Sequence, residues 1–244
     1  MPDLRKPARA FLTATWRYLA MLNYEIDPAV LQPHLPRGLE VDTWQDRAFV
    51  SMVGFMFLDT RLLGLPIPWH RNFEEVNLRY YVRQADRADA PRAVVFVKEI
   101  VPRPAIAWTA RAVYGERYVH LPMRHQIGYA AGAPASVEYG WRFRGRWQRL
   151  GVRPQGSPQP MTPGSEEEFI AEHYWGYANQ RGRTVEYAVE HPPWRVWQVD
   201  ESWLECNVAG LYGPEFAPFL RSAPSSAFLA EGSTVTVRPG RRLS

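Results

Sequence analysis

Residues 73–83 read FEEVNLRYYVR, and this segment decides the fold class. Apolar and polar side chains alternate along it, as in a β-strand whose successive residues point to opposite faces. One face carries Val76, Leu78, Tyr80 and Val82, and the other carries Glu75, Asn77, Arg79 and Tyr81. The segment therefore predicts a strand with one apolar and one largely polar face.

The segments around it also favour strands separated by turns. Residues 93–101, AVVFVKEIV, are apolar on both faces, which is typical of a central buried strand. Further strands are expected at 15–26, 39–44, 49–60, 183–190 and 194–204, in a hairpin at 137–152 that turns at Gly145, and near 226–237. Without regular strand–helix alternation, the pattern predicts an α+β fold with a large, curled or barrel-like antiparallel sheet.

A few short helices complete the expected single domain, residues 1–244. Asp27 and Pro28 form the start of one helix, and Ser165 with Glu168 forms a capping box for another that runs to about Trp175. Other helices are expected at 104–115 and near 214–221. We expect a loop near 154–164, which includes SPQPMTPG, and frayed termini at 1–9 and 239–244.

The cysteine count and the distribution of apolar residues bear on the cellular compartment of the protein. Cys206 is the sole cysteine, so an intrachain disulfide is impossible, and we interpret Cys206 as a small buried hydrophobe instead of a nucleophile. The first residues lack the apolar run of a signal peptide, and no stretch reaches the ~18 apolar residues of a membrane span. The sequence therefore predicts a cytoplasmic protein without a membrane partner.

Several kinds of site are not expected. The signatures of phosphate loops, dinucleotide folds, α/β-hydrolases and zincins are absent from the sequence. The six histidines have no spacing of three or four that would aim two of them at one metal ion from a helix. We therefore expect neither a metal nor a cofactor.

The segments that carry a family resemblance are long. They read WRYLAMLNYEIDPAVLQPHLPRGLEVD, FVSMVGFMFLDTR, NFEEVNLRYYVR, VVFVKEIVPRPAIAWTARAVYGERY and EEFIAEHYWGY. Over roughly residues 10 to 205 the chain resembles the YqjF-like family, bacterial proteins without an assigned function. That family is distantly similar to acetoacetate decarboxylase. The resemblance implies a cone-shaped antiparallel barrel that encloses a pocket.

The decarboxylase resemblance also implies residue roles. Arg17, Tyr24 and Asp27 match its N-terminal motif, Glu75 matches a pocket glutamate, and Arg111 and Gly115 match the segment before its active-site lysine. Tyr118 occupies the lysine position, and the stretch from Met52 to Met56 lacks the second pocket acid. Schiff-base decarboxylation needs an amine, so we do not expect it here. Lys98 is expected to pair with a carboxylate or to reach the rim.

The candidate ligand-binding residues are Arg17, Glu75, Asn77, Arg79 and Tyr118. If the polar face of 73–83 points inward, Arg79 or Arg17 would clamp an anion and Glu75 would act as acid or base. If it points outward, the set is an ordinary solvated strand face. Tyr118 would donate a hydrogen bond into the pocket or fill it, so Glu75 and Tyr118 are the catalytic candidates. Trp16, Trp108 and Tyr114 are expected in the core.

Three functions follow from these alternatives. The first is binding or conversion of a small organic acid or ketone-like metabolite. The second is a non-enzymatic binding or scaffold protein with a plugged pocket. The third is nucleic-acid binding through the arginine- and aromatic-rich hairpin WRFRGRWQR at 141–149, which also has the pattern of a half-buried hairpin. A small-molecule ligand is the expected partner, a homo-oligomer is compatible with the sequence, and nucleic acid is not the favoured partner.

Overall fold

The computed structural model describes residues 10–66, 70–87, 90–106 and 117–243. Within these ranges the strands are β1 (Leu12–Ile26), β2 (Leu39–Val41), β3 (Ala48–Leu62), β4 (Leu65–Pro66), β5 (Phe73–Gln84), β6 (Ala93–Val101), β7 (Tyr118–His120), β8 (Met123–Ala130), β9 (Ala133–Phe143), β10 (Arg146–Pro160), β11 (Trp175–Gln180), β12 (Arg183–Glu190), β13 (Arg195–Glu205), β14 (Ser226–Ala230), β15 (Thr234–Val237) and β16 (Arg241–Arg242).

The helices are short. They are α1 (Pro28–Leu31), α2 (Glu166–Ala171), α3 (Val208–Leu211) and α4 (Ala217–Leu220), with 3₁₀ turns at Gln32–His34 and Pro214–Phe216. The expected caps form, because Asp27 accepts from the backbone N–H of Ala29 at 2.8 Å and Ser165 accepts from that of Glu168 at 3.2 Å. No helix in the described part of the chain is long and apolar enough to cross a membrane.

Seven strands close a barrel. Their order is β1, β3, β5, β6, β11, β12 and β15, and the ring closes because β1 pairs with both β3 and β15. All neighbours are antiparallel except β6 and β11, which pair in parallel. The predicted α+β fold with a curled, barrel-like antiparallel sheet is confirmed.

A second layer of strands covers part of the barrel. From β1 the sheet continues through β14, β13, β10 and β9 to β8. β1 serves both layers because its pairing with β3 shifts register between Arg17 and Ala20, where Tyr18 has a φ of 56°. Gly54 lets the layers approach, since a Cβ there would lie 2.5 Å from the ring of Tyr139.

β5 therefore has a buried environment on both faces. Val76, Leu78, Tyr80 and Val82 pack into a core cluster that includes Tyr139 and Trp141 of the second layer. Tyr81 packs into a separate cluster inside the barrel, with Phe49, Phe55 and Phe169. Glu75, Asn77 and Arg79 are buried and point into the barrel, and they do not form a solvated strand face.

Several predicted boundaries need correction. The loop expected near 154–164 starts later, because β10 continues to Pro160. Beyond Val152 this strand pairs with β13 alone, and its other edge has no partner strand in the described structure. Prolines, which lack a backbone N–H, are tolerated at such an edge. The helix expected to reach Trp175 ends at Ala171, and Trp175 starts the barrel strand β11. Within the C-terminal segment 239–244 that was expected to fray, Arg241 and Arg242 form β16, and Arg241 pairs with Glu186.

Two other expectations fall partly outside the described residues. Of the helix predicted over 104–115, residues 104–106 are helical and the rest lies outside. The N-terminal residues 1–9 lie outside as well. The hairpin predicted to turn at Gly145 forms between β9 and β10, with positive φ angles of 48° at Arg144 and 79° at Gly145 that fit a tight two-residue turn.

Candidate ligand-binding cavity

The barrel encloses a cavity of about 220 Å³. Its walls are mostly apolar and aromatic, and include Phe55, Phe57, Phe73, Phe96 and Trp175. Lining residues beyond the Phe73 end of β5, such as Phe11, Leu62 and His70, are partly exposed, whereas those near Arg79 are buried. The cavity therefore opens at the Phe73 end and is closed near Arg79.

Glu75 is the carboxylate in the middle of the cavity wall. It is 2% exposed, and each of its oxygens accepts one hydrogen bond at 3.0 Å: Oε1 from Asn77 Nδ2 and Oε2 from the hydroxyl of Tyr118. Burial raises the pKa of Glu75 to about 7, although the two hydrogen bonds favour the charged form. Near neutral pH this side chain can therefore hold or release a proton, as an acid–base group must.

Tyr118 reaches the cavity from β7, which pairs in parallel with β6 so that Tyr118 lies beside Glu99. Burial, the charges of Glu75 and Glu99 and a hydrogen bond with Glu99 raise the pKa of Tyr118 well above its usual range. Tyr118 is therefore a neutral hydroxyl near two carboxylates, and it donates its single proton to Glu75. It lines the cavity without filling it.

Arg79 is the cation at the closed end. It is 8% exposed, and its NH2 nitrogen donates to the carbonyl of Ile170 at 2.8 Å and approaches the sulfur of Met21 at 3.9 Å. Its Nε–H has no acceptor, and the guanidinium forms no ion pair with a carboxylate among residues 10–66, 70–87, 90–106 and 117–243. A buried cation without a counter-ion is costly, so this group can bind an anion strongly.

His173 completes the polar groups near Arg79. It follows α2, is 6% exposed and packs its ring 4.8 Å from that of Tyr81, the ring over which the Arg79 guanidinium also lies. Burial and the charge of Arg79 lower the pKa of His173 well below its usual range, while the nearby Ile170 carbonyl acts in the opposite sense. Neither ring nitrogen makes a hydrogen bond of good geometry in the described structure, although the Ile170 carbonyl lies near enough to favour the charged ring. A neutral imidazole therefore lines the cavity.

Arg17 lies outside the cavity, contrary to expectation. Trp16 faces the barrel interior, and the next residue along β1 points away. The guanidinium of Arg17 approaches Glu231 at 3.7 Å, with about a third of the side chain exposed. Arg79, and not Arg17, is the arginine in position to bind an anion.

Lys98 also points away from the cavity. Its ammonium donates to the carbonyl of Leu211 at the end of α3, and burial followed by the charge of Arg117 lowers its pKa. This partner is a backbone carbonyl, and not the carboxylate that was one of the two expectations for Lys98. The other lysine of the sequence, Lys6, lies outside the described residues. The lining residues that the structure describes therefore include no amine for imine formation.

The remaining candidates are placed as follows. Trp16 packs with the barrel core and lines the cavity, while Trp108, Arg111, Tyr114 and Gly115 lie outside the described residues. Burial raises the pKa of Cys206 to about 12, so its thiol is a poor nucleophile. In the hairpin, Trp141 is fully buried whereas Trp147 is 42% exposed and lies under Arg124. The described residues contain no cluster of His, Cys, Asp and Glu suited to a metal ion.

A family model described as an uncharacterized conserved protein, DUF2071, matches residues 13–234. The chain belongs to the DUF2071 family. The uncharacterized protein YqjF of Bacillus subtilis strain 168 is 26% identical to this chain over 219 residues, a match that covers 86% of each chain. The resemblance to the YqjF-like family is therefore confirmed.

Solved structures similar to this DUF2071 chain share an acetoacetate decarboxylase-like fold. Acetoacetate decarboxylase from Legionella pneumophila aligns with a TM-score of 0.67 and 12% identity over 100% of this chain and 92% of that one. MppR, an enduracididine biosynthesis enzyme complexed with pyruvate, aligns with a TM-score of 0.67 and 16% identity, and the alignment covers 99% of this chain and 92% of MppR. An acetoacetate decarboxylase-like enzyme from Sphingomonas wittichii RW1 aligns with a TM-score of 0.67 and 14% identity, and the alignment covers 100% of this chain and 98% of that one. At these identities the likeness establishes the fold.

Sequence reasoning missed Glu99 and His173. Glu99 lies in a segment interpreted as apolar on both faces, and a bulge around Val97 turns both Phe96 and Glu99 toward the cavity. A charged residue in such an apolar strand was the signal that could have identified it. His173 follows a helix that ends four residues earlier than predicted from the pattern, at Ala171 instead of Trp175, and no local motif marks its position.

Proposed function

We propose that this protein binds a small monocarboxylic acid with an apolar body in its barrel cavity. The observation that carries the proposal is Arg79, a buried cation with a free Nε–H and no carboxylate partner in the described structure. Leaving a buried charge unpaired costs several kcal/mol, and a carboxylate with bidentate geometry offsets this cost.

His173, which lies beside Arg79, also favours an oxygen-rich head group. Its buried ring nitrogens make no hydrogen bond of good geometry in the described structure, and a neutral imidazole can donate one hydrogen bond to an acceptor oxygen. The unpaired indole N–H of Trp16 and hydroxyl of Thr60 lie at the Phe73 end, away from this head group. The aromatic walls toward the opening suit an apolar tail.

The structural neighbours support the same class of ligand. One is an acetoacetate decarboxylase and another was solved with pyruvate, so small oxo acids are named for proteins of this fold. The chemistry of an active-site lysine is not part of this proposal, because the decarboxylase resemblance assigns the lysine position to Tyr118, which cannot form an imine. Glu75, with a pKa of about 7, offers acid–base chemistry in its place.

A ligand series tests the proposal directly. The unfolding temperature is measured with hexanoate, 2-oxohexanoate and 2-hexanone, which share a chain length but differ in the carboxylate and the ketone. Binding to the native state raises the unfolding temperature, by an amount equivalent to about 2.7 kcal/mol at a ligand concentration of 100 Kd. We expect both acids to stabilise the protein and 2-hexanone to have little effect.

The matched variants are Arg79→Met and Arg17→Ala. Arg79→Met removes the charge but fills the same space, so the stabilisation by hexanoate should disappear. Arg17→Ala removes a guanidinium that lies outside the cavity, and stabilisation should be retained. Equal stabilisation of both variants by hexanoate would show that Arg79 does not bind the carboxylate.

The plugged-pocket alternative is less well supported. A cavity of about 220 Å³ with unpaired polar atoms is costly to leave without a ligand or water, because each such atom loses its hydrogen bonds on burial. Nucleic-acid binding through the hairpin is weakened by the full burial of Trp141, which removes one of its aromatic platforms. Salt-dependent retention on immobilised DNA or RNA would favour that function instead.

A further inference from the structure

The cavity carries groups of opposite charge at two separate places. Arg79 lies at the closed end, and Glu75 lies two same-face positions along β5 toward the opening. Same-face residues are about 6.6 Å apart along a strand, so the Cα atoms of these two residues are about 13 Å apart. The Arg79 guanidinium extends away from Glu75, over the ring of Tyr81, and donates to the carbonyl of Ile170. One small head group therefore cannot contact both charges.

Glu75, like Arg79, is a buried ionisable group without an opposite charge beside it. Its two hydrogen bonds come from neutral groups, the amide of Asn77 and the hydroxyl of Tyr118. No lysine, arginine or histidine within the described ranges forms an ion pair with it. An ionised carboxylate at such a position is costly unless a cation joins it, so this part of the cavity favours a cationic group.

Asn77 adds an unpaired acceptor at the same place. Its side chain is buried and lines the cavity, and its Nδ2 donates to Glu75. Its Oδ1 has no hydrogen-bond partner in the described structure. An ammonium group carries three donors and no acceptor, so it can bind the carboxylate of Glu75 and the amide oxygen of Asn77 at once. A hydroxyl has a single donor and would leave one of the two acceptors unsatisfied.

The wall between the two charged places suits a chain of methylene groups. Val53 on β3 pairs with Asn77, and it lines the cavity. Phe96 on β6 pairs with Arg79, and it lines the cavity as well. An extended six-carbon amino acid measures about 8 Å from a carboxylate oxygen to its nitrogen. Hydrogen bonds of about 2.8 Å at its two ends extend this reach to about 14 Å, which matches the separation along β5.

We propose that the cavity binds ω-amino acids of about six carbons, with the carboxylate on Arg79 and the ammonium group on Glu75 and Asn77. This inference rests on the carboxylate binding proposed above and names the class of acid. Each end of such a ligand supplies the opposite charge that the protein lacks there. The ammonium group also favours the charged form of Glu75, so binding near neutral pH should release a proton.

Titration calorimetry of the full-length protein tests this inference. The ligands are 6-aminohexanoate, hexanoate and hexylamine at pH 8, where Glu75 is ionised and an alkyl ammonium, with an ordinary pKa of about 10.4, is charged. We expect 6-aminohexanoate to bind at least about tenfold more tightly than hexanoate, which lacks the ammonium group, or hexylamine, which lacks the carboxylate. 4-Aminobutanoate is too short to reach both charges and should lose this advantage.

The decisive variant is Glu75→Gln, which keeps the shape of the side chain but removes its charge. It should bind hexanoate as the wild type does and lose the advantage of 6-aminohexanoate, whereas Arg17→Ala should retain that advantage in full. If hexanoate binds the wild type and 6-aminohexanoate binds no more tightly, or if Glu75→Gln retains the advantage, the ω-amino acid inference is refuted and carboxylate binding stands. If neither acid binds the wild type, both proposals are refuted.

Proton release provides a second measurement that does not depend on a variant. The pKa of Glu75 is about 7, so at pH 7 binding of 6-aminohexanoate should release about half a proton and binding of hexanoate almost none. The heats of binding in two buffers of different ionisation enthalpy give this number. Tyr118 on β7 and Glu99 on β6 also line this part of the cavity, so loss of the release in Glu75→Gln is needed to assign it to Glu75. An absence of release from the wild type would show that the ammonium group does not reach Glu75.

Discussion

The two faces of β5 are both buried, yet they differ in what satisfies them. On the outer face, Val76, Leu78, Tyr80 and Val82 are all 0% exposed and pack against the second layer of strands. On the inner face, Glu75, Asn77 and Arg79 are between 2% and 8% exposed and line the cavity. The outer face is complete without a ligand, and the inner face retains unpaired polar atoms.

This difference separates stability from function within a single strand. Close-packed apolar groups contribute to folding, because filling that space with anything smaller leaves a void. Polar groups that border a cavity contribute little to folding and can even oppose it, since their desolvation is only partly offset. We therefore expect substitutions on alternate residues of β5 to have opposite kinds of effect.

The largest expected effect is at Leu78. Leu78→Ala removes buried methyl groups from the core and should lower the free energy of unfolding by about 3 kcal/mol, within the range of such truncations. Asn77→Ala, its neighbour on the cavity face, should cost less than about 1.5 kcal/mol at pH 5, where Glu75 is protonated and needs its donor less. Urea unfolding of both variants at pH 5 measures the difference. Equal losses would mean that the cavity face is as important for folding as the core.

The sequence predicted the strand and its two faces but could not decide which face pointed inward. Alternation is a local property, whereas the second layer that buries Leu78 is formed by β9 and β10, more than fifty residues away. For the same reason Arg17 was misplaced: its orientation depends on a bulge in β1 that the side-chain pattern does not reveal. The family resemblance matched Glu75 to a pocket glutamate, and this tertiary information agrees with its position in the cavity wall.

The next effect concerns the pH dependence of folding. The pKa of Glu75 is raised to about 7 in the folded protein, so between pH 4.5 and 7 the folded state binds more protons than the unfolded state. Stability should then fall as pH rises through this window, by on the order of 3 kcal/mol at 1.36 kcal/mol per unit. Glu75→Gln should remove this loss, as measured by urea unfolding from pH 4.5 to 8.

Glu74, on the other face of the strand, provides the control for that measurement. Burial raises its pKa, but the hydrogen bond and charge of His125 outweigh burial and leave the pKa lowered. Glu74 therefore contributes stability above its ordinary pKa, which is lost as pH falls. Glu74→Gln should leave the neutral-pH loss of the wild type in place. If Glu75→Gln also leaves it in place, Glu75 is not the titrating group.

A third comparison adds volume to each side of the barrel wall instead of removing it. Gly54→Ala places a Cβ 2.5 Å from the ring of Tyr139 on the outer side, and such overpacking should cost about 1–3 kcal/mol. Val53 precedes it and lines the cavity, so Val53→Leu can extend into open space and should change stability by less than about 0.5 kcal/mol. Thermal unfolding ranks the two. A greater loss for Val53→Leu would contradict the cavity itself.

The smallest effect tests an ion pair that joins the outer face of β5 to the second layer. Nδ1 of His125 on β8 lies 2.6 Å from Oε1 of Glu74, and this hydrogen bond raises the pKa of His125 although burial opposes the rise. A raised pKa means that the stabilisation is fully present below about pH 6.5 and is lost as pH rises through the folded-state pKa.

His125→Ala should therefore destabilise the protein at pH 5.5 more than at pH 8.5. The difference should be below about 1 kcal/mol, because 41% of the histidine side chain is exposed and solvent screens the pair. Urea unfolding at the two pH values measures it, and Glu74→Gln should show the same pH dependence, since it removes the other partner. Equal destabilisation at both values would mean that His125 acts through packing alone, and the outer face would then be held to the second layer by apolar contacts without an electrostatic contribution.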